Sequence, residues 1–565
     1  MSSLSISRRC MHIVSLSLLV ASSLAANTAQ WKSRAIYQTM TDRFGRTDGS
    51  TTARCVASEN IRCGGTWRGT IDHLDYIQGM GFDAVMISPV VKNVEGRVSY
   101  GEAYHGYWPE DIYSLNPHFG TKQDLLDLSA EVHKRGMFLM VDTVINNMAY
   151  ITNGSDPATH IKYSTLTPFD SSSYYHPYCK IEDWNNFTQA QWCQTGDNVV
   201  ALPDLYTEHP DVQSILEKWA QDMISTYSID GLRIDAAKHV NTGFLANFGK
   251  ALSDTFMTGE VYQQEVDIIC DYKNNYITSV PNFPVYFSVI EAFTKGNTSS
   301  LANIVEVMKN SCHDVTSMTT FTESHDVNRF ANMTSDMALA KNVLTFNILF
   351  DGIPIIYQGQ EQHFNGAYYA NNSNREAVWL SGYNTDAELY KLAAKLNRLR
   401  KHVYNLDNNY LDIETYPIYQ GSSELAFRKG VEGRQTIMLL STQGANQKEP
   451  YDLYMPVSFN PGVVAMDVLN CVNYTVNRAG QLVVPMDKGE PRVFFPANLM
   501  PGSGLCGFSD TNISYVELKT GKPASSGSAK VFSMTPAGIP VTILFSVLVS
   551  LVSGLGFGLG FGLGC

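Results

Sequence analysis

The chain has 565 residues, 44% hydrophobic and 11% aromatic, too apolar for an intrinsically disordered protein and long enough for two or three domains. Its 41 Lys and Arg are outnumbered by 54 Asp and Glu, giving a formal net charge of -13. Such a surface repels nucleic-acid phosphates, which excludes a nucleic-acid partner and favours a neutral ligand.

At the N-terminus, Arg8 and Arg9 precede an apolar run from Ile13 to Val20 and the small residues Ser23-Leu24-Ala25-Ala26. That is the pattern of a secretory signal over residues 1–26. Without Cys10, the internal cysteines are Cys55, Cys63, Cys179, Cys193, Cys270, Cys312, Cys471 and Cys506, followed by a terminal Cys565. In an exported chain the eight imply four disulfides, whose pairing the spacing leaves open. Sequons at Asn153, Asn186, Asn297, Asn332, Asn371, Asn473 and Asn512 agree with the same route.

Short apolar runs bounded by Gly, Pro or Asp come next: 35–37, 84–87, 137–141, 231–235, 256–258 and 353–357. They suit strands buried on both faces of a parallel sheet. Val212, Ile215, Leu216, Trp219, Met223 and Tyr227 recur at helical spacing, so a crossover helix is expected before Gly231. This alternation predicts an α/β barrel over 27–146 and 202–405. Residues 147–201, rich in Ser, Tyr and Asn, interrupt it and read as a subdomain inserted after the third strand. From 406 to 508, segments such as 424–428 and 435–440 predict a separate antiparallel β domain. Beyond it, a 509–538 linker carries Ser525-Ser526-Gly527-Ser528-Ala529, and 539–565 is an apolar tail without a basic flank. This combination reads as a glycosylphosphatidylinositol (GPI) attachment signal, with a transmembrane helix as the alternative.

Three acidic residues stand in short motifs at the ends of apolar stretches: Asp235 in Gly231-Leu232-Arg233-Ile234-Asp235, Glu260 in Met257-Thr258-Gly259-Glu260, and Asp326 in Glu323-Ser324-His325-Asp326. In a parallel barrel such ends meet at one mouth. Carboxylates held together acquire different pKa values, so one can attack while another carries the proton. Arg233, two residues before Asp235, shares its strand face and can hold the carboxylate ionised. His325 is positioned to donate a hydrogen bond to a sugar hydroxyl.

With these motifs, and with Thr41-Asp42-Arg43-Phe44, Tyr104-His105-Gly106-Tyr107-Trp108, Asp142-Thr143-Val144-Ile145-Asn146 and Gly359-Gln360-Glu361, the chain resembles secreted fungal α-amylases from Trp31 to about Cys506. The resemblance, to the α-amylase family of glycoside hydrolases, implies a (β/α)8 barrel with an insertion after strand 3, a C-terminal antiparallel β-sandwich and a monomer. It implies Asp235 as nucleophile, Glu260 as general acid/base and Asp326 as the group that stabilises the transition state. Tyr107 is then a stacking platform, Trp108 lines the adjoining cleft, Lys238 and His239 border the acceptor side, and Arg375 lies near the donor side. The implied disulfides are Cys55–Cys63, Cys179–Cys193, Cys270–Cys312 and Cys471–Cys506. Calcium is implied at Asn146, Asp204, the backbone carbonyl of His239, and Gln191, which stands where the family has Glu.

Asn147 occupies a position where family members carry a sugar-binding His. This replacement and the anchor signal resemble the cell-wall branch of fungal amylase-like 4-α-glucanotransferases. The function expected is therefore a retaining enzyme on α-1,4-glucan or maltooligosaccharides, attached by the lipid to the plasma membrane and cell wall, cleaving the chain and transferring the product. A tethered hydrolytic α-amylase is the alternative. An inactive glucan-binding wall protein is a third, against which the intact Arg233, Asp235, Glu260 and Asp326 speak.

Overall fold

The computed structural model describes residues 25–511 apart from 254 and 457. The expected signal up to residue 24 and the anchor segment from 512 lie outside the described residues. Seven parallel strands wall the barrel: Ile36–Gln38 (β1), Ala84–Ile87 (β2), Phe138–Thr143 (β3), Gly231–Ile234 (β4), Phe256–Gly259 (β5), Thr319–Thr320 (β6) and Ile353–Tyr357 (β7). They run in the order β6-β7-β1-β2-β3-β4-β5. The gap between β5 and β6 is filled by 279–281, where Ser279 pairs in parallel with Thr258 and Pro281 with Thr319. The Gly259 N–H donates to the Ser279 carbonyl (2.9 Å) and the Asn282 N–H to the Thr319 carbonyl (2.8 Å), which completes an eight-stave closed barrel.

Alternation along the staves sorts their side chains. Tyr37, Val85, Ile87, Leu139, Val141, Leu232, Ile234, Met257 and Ile356 pack outward into the large cluster shared with the helices. Ile36, Ala84, Met86, Met140, Phe256, Ile353 and Ile355 fill the interior with Trp31, Phe283 and Phe321. Both faces are buried, so the strands read as continuous apolar runs. One residue pair further along, the inward positions become polar: Gln38 follows Ile36, Asp142 follows Met140 and Arg233 follows Gly231.

The crossover helix Pro210–Tyr227 (α1) buries Val212, Leu216, Trp219, Ala220, Met223 and Ile224. Pro210 starts it, the His209 side chain accepts from the Asp211 N–H, and Ser228 ends it at φ 50°. The insertion is closed at its neck by pairing of Tyr150–Ile151 with Val200–Ala201 and by a bridge between Asn147 and Asp204.

After the helices Met337–Leu349 (α2) and Glu388–Leu406 (α3) comes the second domain. Its strands are Tyr416–Gln420 (β8), Glu424–Lys429 (β9), Thr436–Ser441 (β10), Tyr451–Pro456 (β11), Val464–Asp467 (β12), Val472–Thr475 (β13), Gln481–Met486 (β14) and Arg492–Pro496 (β15). A six-stranded sheet, β8-β9-β10-β15-β12-β13, covers the pair β11-β14, with antiparallel pairing throughout. Ala426, Ile437, Leu439 and Phe494 face Leu453, Met455, Leu482 and Val484 of the pair. Their neighbours Leu425, Phe427, Met438, Leu440, Val493 and Phe495 point the other way, into the barrel's helical layer. There Phe427 meets Phe346 of α2, ring centroids 5.6 Å apart. A buried ion pair crosses the same boundary, Lys429 Nζ to Asp351 Oδ1 at 2.5 Å. The four disulfides among the described residues join the pairs that the resemblance implies.

Candidate active site

The barrel mouth gathers the inward polar residues around Arg233. Its Nη1 donates to both Asp142 oxygens (2.9 and 2.8 Å) and to Asp235 Oδ1 (2.8 Å). Its Nη2 lies 2.9 Å from Glu260 Oε2, which also accepts from the Ala236 N–H at 3.1 Å. Backbone pairing holds the two strand ends level: the Asp235 N–H donates to the Thr143 carbonyl (3.0 Å) and the Glu260 N–H to the Ile234 carbonyl (2.9 Å). Arg233, expected from its strand face to hold Asp235, is thus committed to three carboxylates by its position on the β4 inner face. Burial pushes the Asp235 carboxyl well above its ordinary range; Arg233 opposes this, and Glu260 and Asp142 reinforce it.

Asp326 sits in a different field. His325 Nε2 lies 2.9 Å from its Oδ2, and Arg375 Nη2 donates to its Oδ1 at 2.9 Å. Burial alone raises a carboxyl, but here His325, Arg375 and Arg233 outweigh it and hold Asp326 well below the usual range. The His325 ring is itself fixed. Gln38 Nε2 lies 3.0 Å from Nδ1, and the Tyr107 hydroxyl donates to Asp142 Oδ2 (2.7 Å) while lying 2.9 Å from His325 Nε2. In the tautomer that carries its proton on Nε2, the ring donates to Asp326 and its Nδ1 accepts from the Gln38 amide. Tyr107 stacks parallel to His325, 5.4 Å between centroids and 2° between planes. The mouth therefore holds one carboxyl driven towards its protonated form and another driven towards its anion.

A model of the α-amylase catalytic domain matches residues 38–385, and one of α-amylase domain C matches 417–514. The chain is 42% identical over 485 residues to alpha-amylase 1 of Schwanniomyces occidentalis, covering 86% of this chain and 93% of that one. It is 39% identical over 500 residues to alpha-amylase mde5 of Schizosaccharomyces pombe, covering 87% and 93%. The solved structure of an α-amylase from Malbranchea cinnamomea superposes with a TM-score of 0.81 at 45% identity, over 85% of this chain and all of that one. The chain belongs to the α-amylase family of glycoside hydrolases.

In this α-amylase-family enzyme the remaining expected residues lie around the same mouth. Trp108 is half-buried and edge-on to His105, centroids 4.8 Å apart. Lys238 is buried, its Nζ donating to Gln263 Oε1 at 3.0 Å, and its backbone N–H donates to the Glu260 carbonyl at 3.1 Å. The His239 ring lies 2.9 Å from the Ala190 carbonyl, and burial drops its pKa to about 4. Asn147 is buried with its Nδ2 donating to the Met148 carbonyl at 3.1 Å, which leaves its second amide hydrogen for a ligand.

Of the four residues implied for calcium, Asn146 and Asp204 are bonded to each other, while Tyr272 links Gln191 to the residue before His239. Asn146 Nδ2 donates to Asp204 Oδ1 at 3.0 Å. The Tyr272 hydroxyl accepts from Gln191 Nε2 (3.0 Å) and donates to the Lys238 carbonyl (3.1 Å), one residue before His239. With both amide nitrogens occupied, the amide oxygens are the groups left to meet a cation. The donor set is all oxygen, which fits calcium, but it contains one carboxylate.

Several site residues had no role assigned from the sequence. Asp142 carries the same signal as Asp235, an acid ending an apolar run, yet needed the fold to join Arg233. Gln38 carries none, and Tyr104, which opens one of the family motifs but had no role assigned, accepts from Arg375 Nη1 at 3.1 Å across 271 residues. Asn374, whose Nδ2 donates to the carbonyls of His325 (3.0 Å) and Val327 (2.8 Å), anchors the Asp326 loop from beside Arg375.

Proposed function

We propose that the chain is a retaining α-1,4-glucan enzyme of the cell surface that transfers the cleaved glucan to another sugar in preference to water. The observation that carries the retaining reading is the attachment of Asp235 and Glu260 to adjacent nitrogens of one guanidinium. Double displacement uses carboxyls about 5–5.5 Å apart, whereas inversion needs about 6.5–9.5 Å to admit a water between them. In the first step an Asp235 oxygen bonds to C1 while the C1–O bond breaks and Glu260 gives its proton to the departing oxygen. In the second, Glu260 takes the proton of an acceptor hydroxyl, whose oxygen bonds to C1 and frees Asp235. Asp326, kept anionic by His325 and Arg375, faces the positive charge that develops on the sugar ring.

Transfer over hydrolysis is supported by Asn147 in place of His and by the anchor signal beside wall glucan. Calcium would be held by Asn146, Gln191, Asp204 and the His239 carbonyl, tying the insertion to the loop after β4 as a hard, redox-inert cross-link. The names of the relatives favour the second reading, a tethered hydrolytic α-amylase. Incubation with a single maltooligosaccharide separates the two. Transfer yields longer and shorter oligomers at a constant number of reducing ends; a steady rise in reducing ends without longer products leaves hydrolysis as the activity. Phosphatidylinositol-specific phospholipase C should release active enzyme from cells; release by detergent alone, with the tail still attached, would refute the lipid anchor.

A further inference from the structure

Between Gly366 and Asn374 the chain loops out and returns upon itself. The Ala367 N–H donates to Ser373 Oγ at 2.9 Å, and the same hydroxyl donates to the Ala367 carbonyl at 3.0 Å. A Cβ on Gly366 would lie 2.0 Å from the Ser373 carbonyl oxygen, so this neck admits only glycine. At the loop's foot, Glu376 Oε1 accepts from the Gly366 N–H (2.7 Å) and its Oε2 from the buried Arg329 Nε (3.1 Å). Asn374 ties the loop to the segment carrying Asp326.

Two adjacent tyrosines occupy the projecting part. Tyr368 is half-buried, with its N–H donating to Asn328 Oδ1 at 2.8 Å. It lies within electrostatic reach of Asp326, Arg375 and Glu260. Tyr369 is 82% exposed, more than any other large hydrophobic side chain among the described residues, and its ring is 5.3 Å from that of Tyr368. Tyr262, two residues beyond Glu260 and 42% exposed, is influenced by both tyrosines and by Asp326 and Glu260. Its ring is braced on Phe283 at 4.7 Å.

A ring as exposed as Tyr369 contributes little to folding, because its apolar area stays in water. Yet the loop that carries it is pinned by several hydrogen bonds at its neck and foot, so the backbone holds the ring at one place beside the mouth. A rigid aromatic face with a hydroxyl at its tip matches a glucose unit, whose C–H face is apolar and whose rim is polar. We propose that Tyr368 and Tyr369, on the loop tied to the segment that carries Asp326, form a glucan-binding platform beside the cleavage point that takes a glucosyl residue outside those gripped by the carboxylate cluster. The platform rests on the glucan reading of the site.

The test is titration calorimetry of maltoheptaose in the Glu260→Gln background, which removes turnover. Tyr369→Ala should weaken binding about 3–10-fold, the factor expected for one stacked ring, and Tyr369→Phe should restore it. Tyr113→Ala, at a 61% exposed tyrosine beside Trp219 and Met223 on the barrel's outer face, should leave binding unchanged. Unchanged affinity in Tyr369→Ala, or an equal loss in Tyr369→Phe or Tyr113→Ala, overturns the platform alone. Absence of maltoheptaose binding to Glu260→Gln itself overturns the glucan reading with it.

Discussion

Replacing Arg233 by Lys isolates what the guanidinium does for the reaction. One planar group bridges Asp142, Asp235 and Glu260, and its side chain is 8% exposed against 3, 17 and 18% for theirs. A Lys ammonium on a flexible stem has no fork to span three carboxylates, so at least one is left facing its neighbours without a cation. Leaving a buried charge without its partner costs about 3–5 kcal/mol. If that loss falls on the anionic nucleophile, it lowers turnover about 10²–10⁴-fold. The pH profile gives an independent reading. Asp235 is already raised by burial and by Glu260 and Asp142, with Arg233 the group that opposes the rise. Weakening that opposition raises it further, and since the attacking carboxyl must be ionised, the acid limb of kcat/KM should move to higher pH. Steady-state kinetics on a maltooligosaccharide over the acid range would measure both. Arg233→Lys with turnover within about 5-fold of the parent and an unmoved acid limb would refute the reasoning, since about 1 kcal/mol is too little for a buried bridging cation.

Asp235→Asn and Glu260→Gln, each nearly isosteric, should each abolish almost all turnover while far-ultraviolet circular dichroism stays that of the parent; near-normal turnover in either removes that residue from its assigned step. Gln191→Glu adds a second carboxylate to the calcium donors and should tighten calcium about 10-fold, read as a larger calcium-dependent rise in Tm; an identical rise in both proteins would exclude Gln191 from the site. Lys429→Met should lower stability by about 3–5 kcal/mol, because Asp351 stays buried with only the Thr415 N–H and hydroxyl as donors. Thermal denaturation measures this, and activity per folded molecule should not change; a Tm equal to the parent's would show that the pair does not hold the domains together.

Six of the eight barrel staves were legible as sequence because each is a short apolar run buried on both faces, and Asp235 and Glu260 were legible because they end two of those runs. The staves at 279–281 and 319–320 are two or three residues of Ser, Val, Pro and Thr, too short for any period and defined only by the strands beside them. The same limit hid the two faces of β9 and β10: with one side against β11 and β14 and the other against α2, apolar residues fill consecutive positions at 425–427 and 437–440 and the alternation disappears there. Local order along the chain was enough to name the carboxylates and their family. Which groups set their charge was decided by closure of the barrel. Gln38 reaches His325 across 287 residues and Arg375 reaches Asp326 across 49. Parallel staves deliver their C-terminal ends to one mouth whatever their separation in sequence, and the field at a buried carboxyl depends on what stands within a few ångströms of it.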